Sequence, residues 1–371
     1  PTPGSPGHRP GPCEGGDGMR RLGLVLALVA VVLATTGCWD IRDINDRTPA
    51  LGVGVDLEGG TWRLTLADVR PEGGQATMYT ASFESGVGPT LQAAAEELRG
   101  HLAFRLYFGS ARIIAIGSSV FEAGRVGEVL AYFREQQEIS LSTFLVASTT
   151  SGADLLKTMD VEHGAVAVRL EREMTTQESL RDGHLPIQLW QALASWTGPG
   201  RSVYVPLFAP EPGHGLRVTG TLVASARQKT PVYLGIPESQ TLRLLADVPG
   251  RAPIVLPDGS SLRMAWSTKT LRVVTRPTTH LELRVGALLE PRIGSPEGMD
   301  ASDLTRLETE VARAITGRLM ALTAKLGKAG VDVMRGGEAM RSAGLDPELA
   351  LRVPVHITLS ALIQPKQAVS P

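Results

Sequence analysis

Cysteine is nearly absent: the 371 residues hold two, Cys13 and Cys38. Cys13 lies in a Pro/Gly-rich opening stretch with nothing to bury, so no disulfide framework is expected. Excess charge is missing too. The formal net charge is -1, and residues 1–37 carry only Arg9, Arg20 and Arg21 against Glu14 and Asp17. That balance points away from nucleic acid and from bulk acidic partners. Seven histidines are scattered along the chain without a His-Glu-x-x-His pair or a neighbouring cysteine pair, so a zinc site has no support. The chain has no Gly-x-Ser-x-Gly elbow and no Gly-rich loop ending in Gly-Lys-Ser/Thr. Gly52-Val53-Gly54 lacks a third glycine and a following helix, and reads as a strand with close backbone neighbours rather than a dinucleotide loop. Asp160, Glu162 and His163 cluster in what reads as a solvated loop. No catalytic residue, no metal and no cofactor is expected. The apolar run Leu22–Ala34 would span about 20 Å as a helix, short of the ~30 Å hydrocarbon core.

What remains is a folding composition, 43% hydrophobic and 20% charged. The length predicts two or three domains. Residues 1–18 read as an over-extended start or a disordered leader. Residues 19–37 read as an export signal: Met19-Arg20-Arg21 is a basic opening, Leu22–Ala34 the apolar core, and Thr35-Thr36-Gly37 the small residues before Cys38. Small residues directly before a cysteine are similar to the bacterial lipobox, although Thr35 stands where leucine is usual and Leu33 lies further back. In that pathway the signal is removed and the cysteine becomes the lipid-bearing first residue. Two or more acyl chains make a durable anchor at about 0.8 kcal/mol per buried methylene. An ordinary signal peptide with an incidental cysteine is the alternative. Trp39-Asp40, next to the lipid, reads equally as an interfacial anchor or as part of the first domain.

Beyond Cys38 the chain reads Cys38-Trp39-Asp40-Ile41-Arg42-Asp43-Ile44-Asn45, then Gly52-Val53-Gly54-Val55-Asp56. This resembles the opening of the Ger(x)C family of spore germination lipoproteins, the C subunits of nutrient germinant receptors. Arg42 and Asn45 match the family motif as they stand; Asp43 replaces Glu and Ile44 replaces Leu. Leu91–Ser148 resembles the family's helix, aromatic turn, strand, helix and strand, with Ser110 where members often carry His. Asp332, Gly337 and Glu338 fit a C-terminal family segment loosely. Near Thr219–Ala226 the chain departs from the family, with Leu222 and Val223 in place of a Gly-Trp-Leu-type segment.

That resemblance implies a non-enzymatic, lipid-anchored subunit on the outer face of the spore inner membrane. Cys38 would be the lipid attachment, and Trp39, Asp40, Arg42 and Asn45 a membrane-proximal motif. A-type and B-type membrane-embedded receptor subunits would be its partners. A solute-binding lipoprotein of an importer is the alternative, but it needs two similar lobes around a cleft.

Periodicity predicts an α+β fold of two to three compact domains, each a mixed β-sheet flanked by helices. Strands are expected at Leu51–Asp56 and Thr61–Val69, joined by a Glu58-Gly59-Gly60 hairpin. Thr90 should cap a helix burying Leu91, Ala94, Ala95 and Leu98. Strands at Arg112–Ile116 and Ser140–Ala147 flank one helix over Phe121–Phe133, and Leu185–Ser195 reads as a helix with Pro186 in its first turn. The N-terminal domain is set at 38–197, a Pro/Gly-rich connector at 198–215, whose apolar residues could instead form an edge strand, and a strand-rich C-terminal part at 216–371. That part includes TLRLLADV, LRMAWST and TLRVVTR as separate strands. A long amphipathic helix is expected from Asp303 to Leu326, capped by Ser302 and stopped by Gly327. An alternating strand closes the fold with Val355, Ile357, Leu359, Ala361 and Ile363 on one face.

Overall fold

The computed structural model describes residues 22–28, 47–71, 79–102, 105–158, 166–176, 185–211, 215–246, 248, 252–255, 261–291 and 301–363. Residues 22–28 are helical, with Leu22, Leu24, Val25, Leu26 and Leu28 exposed. From Thr48 onward the chain forms one compact body.

Strands β1 (Arg47–Pro49) and β5 (Arg105–Tyr107) make a small two-stranded sheet. The main sheet has eight strands: β2 (Gly52–Glu58), β3 (Thr61–Pro71), β4 (Tyr79–Gly88), β6 (Ile113–Gly117), β7 (Phe144–Ser148), β8 (Ser202–Glu211), β9 (Gly215–Ser225) and β10 (Gln228–Gly235). Their order is β10-β9-β8-β7-β6-β2-β3-β4, with β2, β6, β7 and β8 parallel at the centre and antiparallel pairs outside. Period-two alternation sends Val53, Val55, Ile114 and Ile116 to one face and Ile113, Ala115 and Val146 to the other. Helices α1 (Leu91–His101), α2 (Ser118–Glu122), α3 (Val126–Glu135) and α6 (Leu189–Thr197) supply residues to the first core. Helices α4 (Gly152–Lys157) and α5 (Val166–Thr175) cover the second.

The local signals act as their chemistry requires. Gly59 and Gly60, with φ of 57° and 89°, form the two-residue β2–β3 turn, a conformation closed to most side chains. Thr90 accepts a hydrogen bond from the Ala93 amide at 3.1 Å, and all four predicted apolar residues of α1 are buried. The single helix expected over Phe121–Phe133 is instead two, α2 and α3, because the chain turns through Gly124 at φ 68°. α6 starts at Leu189, later than expected. Gln188 and Gln191 form its capping box, and Pro186 lies before it.

The expected connector at 198–215 holds β8 instead, a strand inside the main sheet. Its ladder to β7 uses only Leu207 and Phe208, so Pro206 falls outside it on that side. The sheet then continues through Gly235, past the boundary drawn at residue 216. TLRLLADV is also not a strand. Its first six residues lie in helix α7 (Ile236–Ala246), whose Leu242, Arg243, Leu244 and Leu245 are all buried. Burial of Arg243 lowers its pKa to about 10, and burial raises the nearby Tyr204 phenol to about 12.

A second sheet has the order β11 (Ala252–Val255), β12 (Ser261–Val274), β13 (His280–Pro291), β14 (Val355–Ile363). LRMAWST and TLRVVTR are one strand, β12. The parallel β13–β14 pair demands a crossover, supplied by the 28-residue helix α8 (Ala301–Lys328). Its Val311, Ile315, Leu319, Leu322 and Leu326 pack with Leu283, Val285, Ala287 and Leu289 of β13. Ser302 and Gly327 both lie inside this helix rather than at its ends. Strand β14 keeps its alternation: the predicted apolar face turns inward and His356, Thr358, Ser360 and Leu362 are exposed. After α8 come α9 (Gly336–Ser342) and a 3-10 turn, Pro347–Leu351.

One clamp ties the last segment to the main sheet. The Arg227 guanidinium donates to the carbonyls of Pro199 and Gly200 and to the Glu348 carboxylate, the last at 2.7 Å. The Arg227 hydrogen bond holds Glu348 below its ordinary pKa. A depressed carboxylate adds stability above its unfolded pKa and loses it as the pH falls through the folded value. Glu348→Gln is therefore expected to lower the melting temperature by about a degree or two at pH 7, since Glu348 is half exposed. The gap should close in acid. Melting curves from pH 7 to 3 test this; a gap that persists unchanged at pH 3 contradicts it.

Candidate functional site

Two buried aspartates hold the motifs that the sequence singled out. Asp56, at the end of the Gly52-Val53-Gly54-Val55-Asp56 run, accepts hydrogen bonds from the amides of Gly152 at 2.6 Å and Ala153 at 3.0 Å. These are the first amides of α4, which lack intrahelical partners. Ser151 accepts from the Asp154 amide at the same terminus. The helix start sits directly on the strand. A β-carbon on Gly54 would lie 3.0 Å from the Ala153 nitrogen, and one on Gly152 would overlap the Ala115 carbonyl. The glycines of this motif permit a helix terminus to touch the sheet, and Asp56 caps that terminus. Burial raises the Asp56 pKa, opposed by the two amide bonds and reinforced by Glu58 and Asp154.

Asp332 repeats the device. Its two carboxylate oxygens accept from the amides of Gly336 at 2.8 Å and Gly337 at 2.7 Å, opening α9. The Asp332 amide in turn donates to Ser202 Oγ on β8. Of the three residues that fit the C-terminal family segment, Asp332 and Gly337 thus meet directly. Glu338 lies one residue further on and pairs with Arg335. Ser110, at the position where the resemblance expects His, donates to the Ala50 carbonyl at 3.0 Å.

This chemistry is architectural. Each aspartate accepts hydrogen bonds from helix amides with both of its oxygens. Among the described residues no three His, Cys, Asp or Glu side chains gather as a metal site. His280 and His356 stack at 4.3 Å between ring centroids, at the edge of the second sheet. A mostly apolar cavity of about 340 Å³ lies between α8 and β14, lined by Leu245, Leu326, Val331, Val355 and Ile357. A groove of about 270 Å³ runs beside α6, lined by Trp190, Ala194, Tyr204, Asp332 and Arg335. Cys38, Trp39, Asp40, Arg42 and Asn45 lie outside the described residues, as does the cluster Asp160, Glu162 and His163. The structure thus seats each motif on its own helix terminus, Asp56 on α4 and Asp332 on α9.

Sequence reasoning missed the neighbouring, exposed Leu141 and Trp190. Their contact joins a loop tip to the start of α6, and no local pattern encodes it.

Residues 40–210 match the family described as the spore germination protein N-terminal domain. The fold is similar to that of the crystal structure of the GerBC protein, with a TM-score of 0.52 at 15% identity, covering 84% of this chain and 96% of that one. The comparison with curated proteins finds no match. The likeness is therefore to the spore germination protein N-terminal domain over residues 40–210 and, in fold, to GerBC.

Proposed function

We propose that the protein is a non-enzymatic, lipid-anchored subunit of a nutrient germinant receptor. Removal of residues 19–37 would leave acylated Cys38 as the first residue, holding the folded body to the outer face of the spore inner membrane. There it would associate with A-type and B-type membrane-embedded subunits and be required for nutrient-triggered germination. The observation that carries this reading is the domain match, which begins at Asp40, two residues beyond Cys38. The helical, apolar stretch 22–28 supports the signal assignment. Among the described residues no helix is long and apolar enough to cross a membrane, so attachment through lipid suits the chain. The importer alternative draws no support from an eight-stranded and a four-stranded sheet of different topology.

Deleting the gene is expected to abolish germination by nutrients and to spare germination triggered directly by dipicolinate. Optical-density loss of spore suspensions under both stimuli tests this. Failure of both routes would place the protein in a later, general step. Affinity purification from spore membranes should also bring down two multi-pass subunits; recovery of the protein alone would contradict the receptor assignment.

A further inference from the structure

The surface that carries an inference is the end of the main sheet where the body begins. Ala50 and Leu51 enter there: the Ala50 amide donates to Tyr107, and the Arg112 amide donates to Leu51. The Phe144 amide donates to Arg112, so the starts of β2, β6 and β7 form one row. Phe144 then bridges to Gln188. At that corner the Trp190 amide donates to the Leu141 carbonyl at 3.1 Å, which brings two large apolar residues side by side. Leu141 is 54% exposed and Trp190 50% exposed. Leu141 stands at the tip of a turn closed by Ser140 and Ser142, whose hydroxyls lie 2.7 Å apart. The Trp190 indole donates to the Gln188 side chain at 2.7 Å, so its polar edge is satisfied while its ring is open.

Three strand spacings of about 4.8 Å separate the entry of the chain from Gln188, or about 15 Å. Cys38 is ten residues before Thr48, a tether of at most ~35 Å fully extended. A body held by lipid on Cys38 therefore has this end within about 35 Å of its anchor, nearer than any end further along the chain is required to be. Charges here are balanced: Arg112 pairs with Glu171 at 2.6 Å and Arg105 approaches Glu138 at 3.9 Å. An apolar residue beside a half-open tryptophan, without a surplus of positive charge, suits the zwitterionic headgroup region, where the amphipathic indole is at home.

We propose that Leu141 and Trp190 form a membrane-contacting tip that seats the body on the lipid surface and fixes its orientation there. This rests on lipid attachment at Cys38, and the test separates the two. The protein, acylated by its bacterial host, is reconstituted into phosphatidylcholine vesicles. Leu141→Cys and, for comparison, Leu362→Cys carry an environment-sensitive fluorophore. Leu362 is 65% exposed on the outer face of β14. Both substitutions fall on exposed side chains and should leave the fold intact. The expected result is a blue-shifted emission at 141, quenched several-fold more by headgroup nitroxide lipids than at 362, and insensitive to salt. Equal quenching at both positions in protein that floats with the vesicles would overturn the tip and leave the anchor standing. Protein that does not float would overturn both. Quenching at 141 that appears only after the multi-pass subunits are added would assign the surface to a protein partner instead.

Discussion

Cys38→Ala is expected to move the protein from the membrane fraction to the soluble fraction and to remove nutrient-triggered germination. A single acyl chain binds a bilayer with a constant of only about 10⁴ M⁻¹, and each further chain adds about 0.8 kcal/mol per buried methylene. Losing all chains therefore costs several orders of magnitude in partitioning. The apolar run 22–34 would not substitute, because as a helix it would be short of a bilayer crossing. Fractionation of spores with immunoblotting, alongside nutrient germination assays, reads the outcome. Full retention of the Cys38→Ala protein at the membrane would mean that protein contacts alone hold it there. Asp56 and the body should be unaffected, so a loss of total protein would indicate degradation rather than release.

The second large effect is expected at the contact of α4 with the main sheet. Asp56→Ala removes the acceptor of two buried amides, those of Gly152 and Ala153. At roughly 1–3 kcal/mol for each orphaned group, the loss is about 2–6 kcal/mol, a large part of the stability of an ordinary domain. Gly152→Val should be as damaging by a different route, since its β-carbon would overlap the Ala115 carbonyl and force α4 off the sheet. Asp56→Asn separates charge from shape. Burial raises the folded pKa of Asp56, so its titration contributes stability below the unfolded pKa that is lost as the pH rises through the folded value. The advantage of the natural protein over Asp56→Asn should thus narrow as the pH rises from acid toward neutral, opposite in sense to the Glu348 pair. Urea unfolding across that range measures it. An Asp56→Ala protein as stable as the natural one would show that the cap is dispensable.

Local chemistry was readable where one residue type has one use. Gly59-Gly60 could only be a tight turn, Thr90 stood before an amphipathic run, and the seven-residue stripe of α8 kept its spacing over the whole helix. Those signals are short-range and need no knowledge of the fold. Reading failed where tertiary burial erased the pattern. Helix α7 buries Leu242, Arg243, Leu244 and Leu245 in succession, so its run lacks a polar side and looks like a strand. In β8 the prolines suggested a connector, because the sequence does not show that its ladder to β7 involves only two residues. The site was half legible. Gly54 was recognisable as a close-packing glycine, and Asp332 as part of a family segment. That each leads to an aspartate on a helix terminus depends on partners nearly a hundred residues away for Asp56, and only four for Asp332. Leu141 and Trp190 were invisible, since proximity across the sheet end carries no sequence mark.

The most direct test of the whole account is mass spectrometry of the protein purified from spore membranes. An N-terminal peptide beginning at Cys38 and heavier by a diacylglyceryl group, with a further acyl chain on its amine, is the predicted result. A mature N-terminus with an unmodified cysteine, on protein recovered from the soluble fraction, would contradict it.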